Sequence, residues 1–167
     1  MQIRDRIKEL RRVKASELKP SPRNWRSHPQ GQQDALRGVL AEIGYASALL
    51  AREVNGHLEL IDGHLRAETT PDQEVPVLIL DVTEEEADKI LATFDPLAAM
   101  AEANQEALGK LLAEVETESA ALQAMLDGLA AEYVDLPADA DGQEFDESCA
   151  DDVAMTECPS CGHKFPK

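Results

Sequence analysis

A chain of 167 residues can hold one compact domain with appendages, and with aromatics at only 4% its core must be aliphatic. No apolar run reaches the about 18 residues that a membrane span requires, and the charged opening Met1-Gln2-Ile3-Arg4 lacks the apolar stretch of a secretory signal. A cytoplasmic protein without membrane contact is therefore expected. The net charge of −17 is unevenly spread: residues 1–66 carry 12 Lys and Arg against 8 Asp and Glu, while the remaining 101 carry 4 against 25. The acidic part would be repelled by nucleic acid, so DNA contact, and that only weak, is expected of the basic amino-terminal half alone.

Ile3, Ile7 and Leu10 form one stripe at helical spacing, ringed by Arg4, Lys8, Arg11 and Arg12, which predicts a short basic helix over residues 1–12. Such a helix either packs its stripe on the domain or serves as a basic arm for nucleic acid or a partner. Val13 to Leu18 reads as a strand, followed by a Pro-rich loop through Pro29. Leu36, Val39, Leu40 and Ile43 mark one face of a helix, with Gly44 placed to cap its end. Leu49 to Val54 and His57 to Ile61 flank Asn55-Gly56, a strong hairpin signal. A short helix follows Gly63 and ends near Thr70-Pro71, and Val75 to Val82 reads as a buried strand whose early pairing Pro76 limits. Thr83-Glu84-Glu85-Glu86 is a capping box opening a helix to about Phe94, and Asp95-Pro96 supplies a cap and a first-turn proline for another.

Two amphipathic helices come next, with stripes Leu108, Leu111, Leu112, Val115 and Leu122, Met125, Leu126, Leu129 and polar faces made almost wholly of Glu. They form either a helical subdomain packed on the first domain or a partner-binding face. Residues 135–152 shift to Asp, Glu, Ala and Gly, the composition of a disordered acidic linker. The expected domains are thus residues 1–95, an acidic helical extension over 96–134, the linker, and a tail over 153–167.

The residues with the clearest chemistry are Leu60-Ile61-Asp62-Gly63-His64-Leu65-Arg66, an apolar strand that turns into a helix. The first N–H groups of a helix lack intrahelical partners and attract anions. Gly63 lets backbone come close to a ligand, and the Arg66 guanidinium fits phosphate oxygens. His64, at the helix start, is a candidate donor or acid/base catalyst. Asp62 could orient a sugar hydroxyl or a metal-bound water. His28 and His57 read as surface residues without a role.

Asp62-Gly63-His64-x-Arg66 resembles the phosphate-binding box of the ParB/sulfiredoxin superfamily. Ala15-Ser16-Glu17-Leu18-Lys19-Pro20-Ser21-Pro22-Arg23-Asn24 resembles its opening strand and loop, and Val75-Pro76-Val77-Leu78-Ile79-Leu80 its closing strand, so the resemblance covers about residues 13–95. It implies an α+β fold with a small mixed sheet, and a site for CTP, ATP or ADP, with or without Mg²⁺. Arg23, Asn24 and Arg26 would lie on the loop that covers the nucleotide.

Departures from the pattern narrow the function. His64 stands where sulfiredoxins carry their nucleophilic cysteine, which excludes sulfinic acid reduction. A Glu-rich region replaces the helix-turn-helix of partitioning proteins, and their arginine pair is reduced to Leu65-Arg66. The chain resembles the front portion of phage and mobile-element DNA methyltransferases, without the motifs of a methyltransferase. The expected function is a nucleotide-binding accessory or switch in phage or plasmid DNA metabolism, with a protein partner such as a DNA methyltransferase. The alternative is a small-molecule kinase or weak nuclease or NTPase using the same box. Phosphoryl transfer would need an acidic base, for which Glu42 and Glu68 are candidates.

Cys158-Pro159-Ser160-Cys161-Gly162-His163 resembles one knuckle of a zinc ribbon. Cys158 and Cys161 supply two ligands, and Cys149 and His163 are candidates for the other two. The alternatives are a four-cysteine site shared by two chains, giving a homodimer through the tail, or a tail with free thiols.

Overall fold

Asn55-Gly56 shapes the centre of the sheet. In the computed structural model, which describes residues 3–134 and 155–166, both residues have positive φ, +49° and +80°. That is the backbone of a two-residue turn matched to strand twist, and it joins β3 (Leu49–Val54) to β4 (His57–Asp62). β5 (Glu74–Leu80) adds parallel to β3, and β1 (Ile7–Lys14) pairs antiparallel with β5. β2 (Leu18–Lys19) runs parallel to β4, so the order is β1-β5-β3-β4-β2. Pro76 falls opposite Arg12 of β1, while pairing with β3 starts only at Val77, so its missing N–H interrupts no ladder on that side.

β1 and β2 occupy opposite edges although only the 3₁₀ turn Ala15–Glu17 separates them. Five strands laid flat span about 19 Å, whereas four residues reach at most about 14 Å. The sheet is therefore curled, with its two edges closer together than in a flat sheet. Its concave side is filled by Leu49, Ala51, Val75, Val77 and Ile79, all 0% exposed, with Leu18 and Leu60 beside them. The core is aliphatic, as the composition requires.

The helix expected over residues 1–12 is not formed by the described residues 3–12. Ile7 and Leu10, two members of the supposed stripe, are 51% and 60% exposed. What organises the segment is the backbone ladder of β1 along β5, which covers an edge of the sheet that would otherwise be open. Arg6 anchors its start, donating to both carboxylate oxygens of Glu86 at 2.8 and 2.6 Å and to the Asp81 carbonyl at 2.6 Å. The strand expected over Val13 to Leu18 is likewise broken by the 3₁₀ turn, whose Ala15 and Ser16 N–H groups donate to Gln73 and Pro71 carbonyls.

The helices are α1 (Gln30–Glu42), α2 (His64–Thr69), α3 (Glu84–Ala99), α4 (Gln105–Glu114) and α5 (Ala120–Tyr133). Gly44 ends α1 with φ +84°. The Thr83–Glu86 capping box opens α3 with both reciprocal bonds made. Asp95-Pro96 does not start a new helix: Pro96 lies inside α3, which continues to Ala99. Only the bond its N–H would have donated is lost, and the last turn is still closed by Met100 N–H to the Pro96 carbonyl.

Asn104 and Ser119 cap α4 and α5 with their side chains. α5 docks on α1, where a Cβ on Gly38 would lie 2.7 Å from Ser119 Cβ and 3.3 Å from Leu122 Cβ. Glu42 completes the joint by accepting from the Thr117 hydroxyl and the N–H groups of Glu118 and Ser119, which holds its carboxyl below the usual range. Residues through Val134 form one compact unit. Among the described residues no helix is long and apolar enough to cross a membrane.

The tail is a separate unit, a hairpin of β6 (Met155–Glu157) and β7 (Lys164–Pro166). The linker expected over 135–152, with Cys149, lies outside the described residues.

Candidate functional site

β4 delivers Asp62 to the end of the sheet, and Gly63 turns the chain into α2 with φ +93°. A Cβ there would sit 2.6 Å from Leu49 Cγ in the core and 3.2 Å from Arg66 Nη2, so only glycine fits both backbone and space. α2 is six residues long. Its dipole is accordingly small, and the chemistry of the corner rests on side chains.

Those side chains surround a cleft of about 200 Å³. One wall is Asp62, Gly63, His64 and Arg66; Asn24, Arg26 and His28 come from the loop before α1, and Gln32 from the first turn of α1. Six of the seven residues expected at the site thus meet around one space. Arg23 does not: it turns away to donate to Asp88 of α3 at 2.7 Å. The same helix holds the rest of the loop, because Arg26 pairs with Asp95 and the Trp25 indole N–H points at the Leu91 carbonyl at 3.5 Å. The Arg26 guanidinium lies 4.9 Å from the Trp25 ring centre.

Arg66 is held in place on both arms. Nη2 donates to Asp62 Oδ2 at 2.8 Å, and Nη1 meets the Ser47 hydroxyl. The guanidinium faces a carboxylate, yet the cleft beside the glycine remains open.

His64 is 6% exposed. Its Nε2 accepts the Ser21 N–H at 3.1 Å, which places the ring proton on Nδ1 and ties the Pro-rich loop to the box. Burial is the main cause that pulls its pKa below the ordinary value, with Glu68 and Asp62 opposing. His64 is neutral, with one nitrogen already engaged. Glu42, the last residue of α1, is occupied by the N–H groups that lead into α5, and Glu68 lines a neighbouring hollow with Leu18, Leu60 and Pro71.

His28 was expected to be a plain surface residue, and the structure places it in the cleft. Nδ1 lies 3.1 Å from Gln32 Oε1, and Nε2 is buried without a partner. One signal for it exists in the sequence: His28 directly precedes Pro29, the cap of α1, which sets it beside the first turn of the helix within reach of Gln32.

In the tail, Gly162 takes φ +74° and closes the knuckle with its N–H on the Cys158 carbonyl. The N–H of Ser160, then that of Cys161, hold the Cys158 thiol below its ordinary pKa. This donor pattern suits a thiolate. His163 gives its carbonyl to the Cys158 N–H. Among the described residues no three His, Cys, Asp or Glu side chains converge as a metal site, so His163 does not complete a set with the two thiols.

No family model matches the sequence, and no curated protein does. Solved structures do match. The C-terminally truncated chromosome-partitioning protein ParB from Caulobacter crescentus, complexed with CTP-γ-S, aligns with a TM-score of 0.51 at 20% identity. The alignment covers 64% of this chain and 63% of that one, so the chain spans under two thirds of that ParB. Sulfiredoxin from Arabidopsis thaliana aligns over 50% of this chain and 97% of its own, at 19% identity and a TM-score of 0.41. A Pnob8-like ParB-N domain aligns over 95% and 56%, at 16% identity and a TM-score of 0.44. The fold is ParB/sulfiredoxin-like, a mixed five-stranded sheet with helices.

Proposed function

Starting from a ParB-like fold, we propose that this chain is a nucleotide-binding module and that its ligand, CTP or ATP/ADP with or without Mg²⁺, sits in the cleft between Arg26 and Arg66. One observation carries the reading. Residues drawn from the 24–26 loop, α1 and the Asp62–Arg66 corner converge on one space, in a fold shared with a ParB complexed with CTP-γ-S. Two guanidiniums supply donors for phosphate oxygens, and Gly63 lines the cleft with no side chain to crowd Arg66. Asp62 would orient a sugar hydroxyl or a metal-bound water.

The binding reading is favoured over a kinase or nuclease because of where the acid/base groups named for those stand: His64 Nε2 holds the Ser21 N–H, Glu42 holds the start of α5, and Glu68 lines the neighbouring hollow instead of the cleft. His64 then positions the loop and does not move a proton. In this reading the protein is an accessory or switch of phage or plasmid DNA metabolism, acting on a partner such as a DNA methyltransferase. Calorimetry with CTP, ATP, ADP and GTP tests it. Binding of one at micromolar to millimolar Kd, abolished by Arg66→Ala, is expected; no binding to any at millimolar concentration overturns it.

The tail we read as half of a zinc site. Cys158 and Cys161 are the ligands it presents; Cys149 would supply a third thiolate, whereas the same pair from a second chain would complete four. The backbone N–H groups directed at Cys158 support the fit. Metal analysis of the purified protein is the test, and less than half a zinc per chain overturns even a shared site.

A further inference from the structure

We infer that His28 reads the nucleoside part of the ligand: its Nε2 accepts a hydrogen bond from a donor on the sugar or base, while Arg26 and Arg66 take the phosphates. The inference rests on the nucleotide reading of the cleft and adds a residue that the sequence motifs did not single out.

The argument starts from the tautomer. The atom facing His28 Nδ1 is the carbonyl oxygen of Gln32, at 3.1 Å. A carbonyl oxygen only accepts, so Nδ1 carries the proton and Nε2 presents a lone pair. Nε2 therefore stands as a bare acceptor, and it is the only buried side-chain nitrogen or oxygen among the described residues that lacks a partner. Such an atom is costly to keep dry, and the cost is removed by a ligand that brings a donor.

Phosphate oxygens at neutral pH bring none. A nucleotide carries donors in two places, the ribose hydroxyls and the exocyclic amine of cytosine or adenine. The chemistry of the cleft is thus divided: cationic forks for the phosphates, one imidazole acceptor for the nucleoside.

As the loop stands, Nε2 is covered, so the donor reaches it when the segment from Asn24 to His28 shifts. Gln33 donates to the His28 carbonyl at 2.9 Å, while the attachments of the loop to α3 are light. Arg23–Asp88 and Arg26–Asp95 are partly exposed ion pairs, and the Trp25 hydrogen bond is long at 3.5 Å. Binding at His28 is then coupled to movement of the loop on α3.

Calorimetry on the full chain and on His28→Phe tests this with four probes: the tighter-binding of CTP and ATP, its 2′-deoxy form, its deaminated form (UTP or ITP), and inorganic tripolyphosphate. His28→Phe keeps the ring volume and removes the acceptor. It is expected to weaken the nucleoside triphosphate about tenfold and to leave tripolyphosphate unchanged. In the wild type, weaker binding of the deoxy form assigns the donor to the ribose, and weaker binding of the deaminated form assigns it to the base. Equal affinity of both proteins for the nucleotide, or an equal loss for tripolyphosphate, overturns the inference. Failure of the wild type to bind any nucleotide instead overturns the nucleotide reading itself. Should the variant not fold, ¹⁵N imidazole spectra of the wild type decide: the Nε2 resonance of His28 moves on nucleotide addition and not on tripolyphosphate, and a resonance that stays put defeats the proposal.

Discussion

Gly63→Ala separates backbone strain from steric conflict at the corner on which the cleft depends. At φ +93° an alanine pays a left-handed penalty of about 1–2 kcal/mol. The new methyl would also lie 2.6 Å from Leu49 Cγ, and Leu49 is 0% exposed, so it has nowhere to retreat. Overpacking of that kind costs about 1–3 kcal/mol more. Together the expected loss is about 2–5 kcal/mol, a fall in Tm of roughly 10 °C for a unit of this size. Gly44→Ala is the internal control. Its φ is +84° but no atom lies within 4 Å of the added carbon, so only the backbone penalty applies, a drop of a few degrees. Urea and thermal unfolding followed by circular dichroism measure both. Equal losses in the two variants would refute the argument that Leu49 and Gly63 are packed too closely for a side chain.

Acid should act through two groups with separate windows. His64 has its pKa lowered from 6.5 by burial, so between that value and its folded pKa the unfolded chain holds a proton the folded chain lacks. Its contribution is complete above about pH 6.5 and is lost as pH falls below it, at up to about 1.4 kcal/mol per pH unit; urea midpoints at pH 7.5 and 5.5 should show the slope, and His64→Gln should flatten it. Glu86 is held down to about 2, first by Arg6 and then by the Thr83 N–H. Its contribution is present above its ordinary value of 4.5 and fades as pH falls toward 2, and Glu86→Gln should remove that part of the acid transition without changing the slope near pH 6. Gly38→Ala should push α5 off α1, because the added carbon meets Ser119 and Leu122. Hydrogen exchange should show faster exchange in Ala120–Tyr133 with β3 and β5 still protected, and unchanged exchange in α5 would contradict the close crossing.

Local signals with a single geometric solution were readable from sequence. Asn55-Gly56, Gly44 and the Thr83–Glu86 box each satisfy specific backbone groups within a few residues, and each appears in the structure as expected. Signals that depend on what lies opposite were not. Ile3, Ile7 and Leu10 have helical spacing, but nothing in the sequence says that β5 offers an edge, and a ladder of backbone bonds outweighs a three-residue stripe. Asp95-Pro96 carries a valid start signal that α3 overrides, since a proline near a helix end removes one bond while Leu91 is already packed. At the site, contiguous residues such as Asp62–Arg66 were legible because one turn positions them all. Arg23 and His28 were misplaced because their directions are set by α3 and by Gln32, which lie 65 and 4 residues away and belong to other elements.

The pairing of the two cleft arginines bears on how a ligand would act. Arg66 is bound to Asp62, its neighbour four residues back on the same corner, so a phosphate arriving there finds a guanidinium already oriented and disturbs nothing distant. Arg26 is bound instead to Asp95 on α3, and that carboxylate is 53% exposed. An ion pair this open is worth about 1 kcal/mol or less, whereas a charge-assisted arginine–phosphate contact in the cleft is about twice as strong as an ordinary hydrogen bond. On the nucleotide reading, phosphate therefore takes Arg26 from Asp95, and the loop loses one of its ties to α3 just where Phe94, Leu97 and Met100 lie exposed. The asymmetry between the two arginines is what would turn binding into a signal. Asp95→Asn should accordingly tighten nucleotide binding by releasing Arg26 beforehand, while Asp62→Asn should not, because Arg66 would lose the partner that orients it; tighter binding in both variants would show that the pairs are interchangeable and that no such coupling exists.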